Sequence, residues 1–131
     1  MELVFIPTAK IICKVKQLIC RREEKLYRCY HPQKLEKMIA FAMQSLRGPI
    51  SKKKICHAAG KLCFSLVKNP LFFSFNLRTS AVVSLSFLHI HQIHLEQKCS
   101  EYVKMILKIS QCQINRENFL EWIEKSTIFV Q

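Results

Sequence analysis

The densest group of residues able to do chemistry is His89-Ile90-His91-Gln92-Ile93-His94, with Cys99 five positions further on. On a strand, His89 and His91 point to one face. On a helix, His91 and His94 lie one turn apart. Either spacing brings two imidazoles within reach of one metal ion, and imidazole with thiolate suits zinc or copper. The commoner arrangement is three histidines at the edge of an apolar segment, some solvated and some hydrogen-bonded. No carboxylate stands near to orient them until Glu96, and no second ligand pair is evident. A metal site at His89, His91, His94 and Cys99 is therefore the less favoured reading, and no cofactor is expected.

The second group is cationic. Arg21-Arg22 and Lys52-Lys53-Lys54 are the strongest basic clusters, and Lys14, Lys61 and Lys68 extend them. With 21 basic and nine acidic residues the chain carries a formal charge of +12. Such an excess attracts polyanions, either nucleic acid or an anionic membrane surface, through salt-sensitive and sequence-independent contacts. Arg21, Arg22, Lys52, Lys53 and Lys54 are the candidate contacts. Stacking on single-stranded nucleic acid also needs aromatics interleaved with the cations. The phenylalanines gather instead at Leu71–Phe75, away from the lysines, so a plain solvated basic face is the simpler expectation.

Other chemistry is excluded by what the chain lacks. Its only glycines are Gly48 and Gly60, and all nine acidic residues are glutamates. A P-loop or a dinucleotide fingerprint needs glycines where backbone approaches phosphate. An EF-hand needs Asp and Asn oxygens plus a glycine. A Ser-His-Asp triad has no Asp, and no Gly-x-Ser-x-Gly elbow presents a serine. The sequence therefore predicts no enzyme and no small-molecule substrate. Seven cysteines form no Cys-x-x-Cys pair. Cys13 and Cys20, and likewise Cys56 and Cys63, are two helical turns apart, about 10 Å, too far for one metal or an intrahelical disulfide. They read as small buried hydrophobes. The N-terminal Met1-Glu2 has an acid where a signal peptide carries cations, and Pro7 stops the apolar run. Reduced, intracellular thiols are the expectation.

The elements that must position these residues are mainly helical. Glycine, Asp and Asn make tight turns, and their scarcity favours a few long helices over many strands. The expected architecture is one small domain, residues 1–131: an irregular bundle of about four to five helices with an unsettled segment at 71–95. Ile11, Ile12, Val15, Leu18 and Ile19 make one stripe. Pro32 suits the first turn of the next helix, whose stripe is Leu35, Met38, Ile39, Ala42 and Leu46 and whose stop is Gly48. Ser51 suits the cap of a third helix, with Ile55, Ala59, Leu62 and Leu66 inward. Gly60 inside it costs up to about 1 kcal/mol relative to Ala.

Val83-Ser84-Leu85-Ser86-Phe87 alternates with period two and favours a strand, making a β-hairpin with Leu71–Leu77. The competing reading is one long helix over 80–110, supported by Leu95, Cys99, Val103 and Ile106. A last helix runs from Asn115 to about Lys125, with Phe119, Leu120 and Ile123 inward. Residues 71–90 have the length of a membrane span, but an arginine toward the centre costs about 2.5–3.5 kcal/mol.

No specific molecular function follows from these features. The Asp- and Gly-poor, Lys-, Ile- and Phe-rich composition resembles the translation of an A/T-rich reading frame never selected to encode a protein. The alternatives are a non-enzymatic polyanion-binding protein and a peptide associated with a membrane through residues 71–90.

Overall fold

The computed structural model describes residue 8 and residues 10–14, 32–69 and 76–130, and the structural statements below concern these. In chain order they form α1 (Pro32–Met43), a 3₁₀ turn (Gln44–Leu46), α2 (Lys52–Lys68), α3 (Asn76–Ile90), β1 (Ile93–Leu95), α4 (Cys99–Ser110), α5 (Arg116–Lys125) and β2 (Thr127–Phe129). Residues 10–14 are helical as well. The protein is thus mainly α, with one short antiparallel ladder that pairs Ile93 with Phe129 and Leu95 with Thr127.

Local chemistry sets most of the boundaries. Pro32 opens α1, where its missing N–H is no loss. Gly48 adopts φ +79° just beyond the 3₁₀ turn, a left-handed conformation that a side chain would strain. Ser51 caps α2 by accepting from the Lys54 amide, and Asn115 caps α5 by accepting from the Asn118 amide at 2.8 Å.

Helix α2 is the organising element, with α1, α3, α4 and α5 packed around it. One side of α2 presents Leu62 and Leu66 to a cluster with Ile12, Leu35, Met38, Ile39, Ala42 and Val83. The other presents Ile55, Cys56, Ala59, Cys63 and Val67 to Phe87, Tyr102, Ile106, Phe119 and Ile123. Cys56 and Cys63 are fully buried, as their seven-residue spacing beside an apolar stripe implies. At Gly60 the Leu120 and Ile123 side chains of α5 approach so closely that a Cβ would sit 2.2 Å from Leu120 Cδ2. That glycine, a cost to the isolated helix, is what lets α5 pack.

Two expectations for the middle of the chain are corrected. Residues 83–87 are helical, part of α3 together with Asn76 and Leu77, and form no strand; residues 70–75 lie outside the described part. The alternation misled because Ser84 faces inward. Its hydroxyl donates to the Ser80 carbonyl at 2.7 Å, and the Tyr102 hydroxyl donates to Ser84 Oγ. Nor does one helix run to Ser110. It ends at Ile90, Gln92 takes φ +64°, and Ile93–Leu95 leave as a strand. In α4 the inward face is Tyr102, Met105, Ile106 and Ile109, while Val103 and Cys99 are exposed. The large Tyr102 ring, packed against Phe119 and Trp122, fixes that rotation.

Candidate polyanion-binding surface

Between Glu36 and Glu96 the chain contains no acidic residue. This stretch includes all of α2 and α3, so neither helix carries a carboxylate beside its cations. Lys61, Phe64 and Lys68 stand at i, i+3 and i+7 on α2 and therefore share one face. Lys68 Nζ lies 5.8 Å from the centre of the Phe64 ring. Phe41 of α1 projects beside Lys61, whose Nζ is 5.3 Å from its ring centre, and Arg116 at the start of α5 places its guanidinium 5.2 Å from the same ring. Lys37, one turn before Phe41 on α1, is exposed on the same flank. Three helices thus bring two rings and several cations onto one surface.

The phenylalanines expected to lie apart from the lysines, within Leu71–Phe75, fall outside the described residues, whereas Phe41 and Phe64 stand beside the cations. Phe64 was legible in the Lys61-x-x-Phe64-x-x-x-Lys68 spacing. Phe41 and Arg116 join it only through the packing of α1 and α5 on α2.

The basic residues singled out from sequence divide into three kinds. Arg21 and Arg22 fall outside the described residues. Lys52 and Lys54 are engaged with backbone: Lys52 Nζ donates to the Glu124 carbonyl at 2.7 Å, tying α2 to α5, and Lys54 Nζ donates to the Arg47 carbonyl at 2.6 Å. Lys53, between them, is exposed. All three lie in the first turn of α2, where the positive end of the helix dipole disfavours cations.

The histidine group is split by the turn after α3. His89 and His94 pack ring to ring with centres 4.2 Å apart, whereas His91 sits edge-on against Phe87 at 4.8 Å. Cys99 is exposed at the first turn of α4. Among the described residues no three His, Cys, Asp or Glu side chains cluster closely enough to hold a metal ion.

His57 Nε2 and Glu124 Oε2 are 3.3 Å apart beside Cys56, but the Cys56 thiol faces Thr127 Oγ1 at 3.4 Å instead. Burial pushes the Cys56 thiol up, against the lowering effect of the Thr127 contact. Burial likewise pushes Cys63 up to about 11, and Tyr102 well above its ordinary value. These are protonated core groups, the opposite of activated nucleophiles.

As for residues 71–90, α3 is 15 residues long and buries Thr79, Ser80 and Ser84 together with Val83, Phe87 and Leu88. No helix among the described residues is long and apolar enough to cross a membrane.

Fold and surface together define a small, strongly basic, mainly helical protein with an aromatic-flanked cationic face. No family model matches the chain, and neither a curated protein nor a solved structure shows significant similarity to it.

Proposed function

We propose that the protein is a non-enzymatic polyanion-binding protein that engages single-stranded nucleic acid along the exposed face of α2. The observation that supports this is the alternation of cation and ring: Lys61, Phe64 and Lys68 along one helix, with Phe41 and Arg116 beside them. Cations track the phosphates while a ring offers a stacking surface to any base. From Lys54 to Lys68 the helix rises about 20 Å, room for about six nucleotides at the per-strand spacing of a stacked duplex. An interfacial membrane helix would need a broad exposed apolar face beside its cations, and on α2 every apolar residue except Phe64 is turned into the core.

The test is fluorescence anisotropy of a labelled 20-residue oligouridylate with the full chain at low salt. The variants are Lys61→Gln/Lys68→Gln and Phe64→Leu, which spare the backbone-tied Lys52 and Lys54. The pair of glutamines should weaken binding strongly, and the leucine about fivefold or more, since stacking on a ring contributes about 1–3 kcal/mol per base. Equal affinity for wild type and both variants contradicts the proposal. Loss with the glutamines but not the leucine, with equally tight binding to phosphatidylserine vesicles, would favour an anionic lipid surface instead.

The composition favours a second reading, the product of an unselected reading frame. It predicts no cooperative thermal transition for the purified chain.

A further inference from the structure

Away from the basic face, α3 and α4 leave a groove between them. A cavity of about 330 Å³ is lined by Leu77, Arg78, Ala81 and Val82 from α3 and by Val103, Ile106 and Leu107 from α4. Ile106 forms its floor and is buried, but Val82, Val103 and Leu107 remain 38%, 49% and 42% exposed. Each wall repeats at helical spacing, 77–81 and 103–106–107, so the groove runs along two helices and matches the apolar stripe of a third.

Its charge selects the occupant. Arg78 sits in the lining, and exposed Lys104 and Lys108 flank Val103 and Leu107 on α4. Helix α3 has no acidic residue. The one carboxylate of α4, Glu101, pairs with Lys104 at 3.1 Å. A second copy of a chain carrying +12 would be repelled. We propose that this groove docks an acidic amphipathic helix of a partner protein, with aliphatic side chains seated on Val103, Ile106, Leu107 and Val82 and glutamates or aspartates meeting the lysines and Arg78. The groove shares no residue with the α2 face.

The probe is a blocked 18-residue peptide with leucines at i, i+3, i+4 and i+7 spacing and glutamates elsewhere, titrated into the full chain by calorimetry. A peptide with lysine for every glutamate serves as the control. The glutamate peptide should bind saturably and the lysine peptide should not. Leu107→Glu and Val103→Glu, both at exposed positions and checked by circular dichroism for unchanged helicity, should each weaken binding about tenfold or more. Lys61→Gln/Lys68→Gln should change it less than about twofold. Three results would overturn the proposal: no saturable binding of the glutamate peptide, binding lost in the Lys61/Lys68 variant but kept in Leu107→Glu, or a dimer in sedimentation that Leu107→Glu dissolves.

Discussion

At the scale of single residues, the buried titratable groups give the most direct predictions. Cys63 sits among Ser80, Ser84 and Tyr102, and burial raises its pKa to about 11 in the folded chain. A raised folded pKa means the native state holds its proton more tightly than the unfolded state does. Its contribution is therefore complete below about pH 9 and declines as pH rises toward 11, by about 2 to 3 kcal/mol at most. Tyr102 shifts in the same direction and adds to the loss above pH 10. Urea unfolding at pH 8, 9 and 10 should show this decline, and Cys63→Ala should flatten it between pH 9 and 10. Stability independent of pH over that interval would show that the thiol is not enclosed.

Gly60 is the second residue-scale case. Alanine would gain up to about 1 kcal/mol of helix propensity, but overpacking costs about 1–3 kcal/mol. Leu120 could turn its methyl aside, yet Ile123, 3.1 Å from the new Cβ, is fully buried and cannot give way. Gly60→Ala should therefore destabilise by about 1 kcal/mol net, and the same change in an Ile123→Val background, which removes the Cδ1 in the way, should be neutral or stabilising. The sequence shows Gly60 only as a weak point of a helix. Its reason lies on α5, sixty residues away along the chain.

At the scale of elements, the helices that were legible are those with both a stripe and a start signal. Pro32, Ser51 and Asn115 mark their helix starts, and Leu35, Met38, Ile39, Ile55, Leu62, Phe119 and Ile123 are all inward as their spacing implies. The failures have one cause, tertiary contact overriding local pattern. Ser80 and Ser84 look like a solvent face but are buried, with Ser84 joined to Tyr102. The two three-residue strands carry no periodic signal of their own, since a ladder between 93–95 and 127–129 exists only once α4 and α5 have brought the ends together.

The first turn of α2 supports a prediction that separates stability from binding. Lys53 lies exposed at the positive end of the helix dipole. Lys53→Glu should stabilise the chain by about 0.3–1 kcal/mol in thermal unfolding at low ionic strength. The same substitution should weaken oligonucleotide binding by removing a cation and adding a like charge to the phosphates. Lys52→Gln, by contrast, should destabilise, because it releases the Glu124 carbonyl from the bond that joins α2 to α5.

At the scale of the whole molecule, two opposing features coexist. The core lies on both sides of α2 as two clusters, with Phe87, Tyr102 and Phe119 fully enclosed in one of them. The charge of +12 works against compactness, and its repulsion is relieved by salt or by an anionic partner. The protein should accordingly melt in one cooperative transition whose midpoint rises with added oligonucleotide, as linkage requires for a ligand that binds only the folded chain. The candidate surface was half visible in the sequence. Net charge and the lysine spacing on α2 could be read directly, whereas Phe41 and Arg116 are placed by helix packing that no local pattern encodes.

Binding of single-stranded nucleic acid by the cationic and aromatic face should show in the salt dependence of oligouridylate affinity for the intact chain. If Lys53, Lys61, Lys68 and Arg116 each displace one counterion, log K should fall against log salt with a slope of about −3. That slope corresponds to roughly a fifty-fold loss between 50 and 200 mM salt, and Lys61→Gln/Lys68→Gln should about halve it. No binding at 50 mM salt, or a slope that the glutamine pair leaves unchanged, would contradict the account.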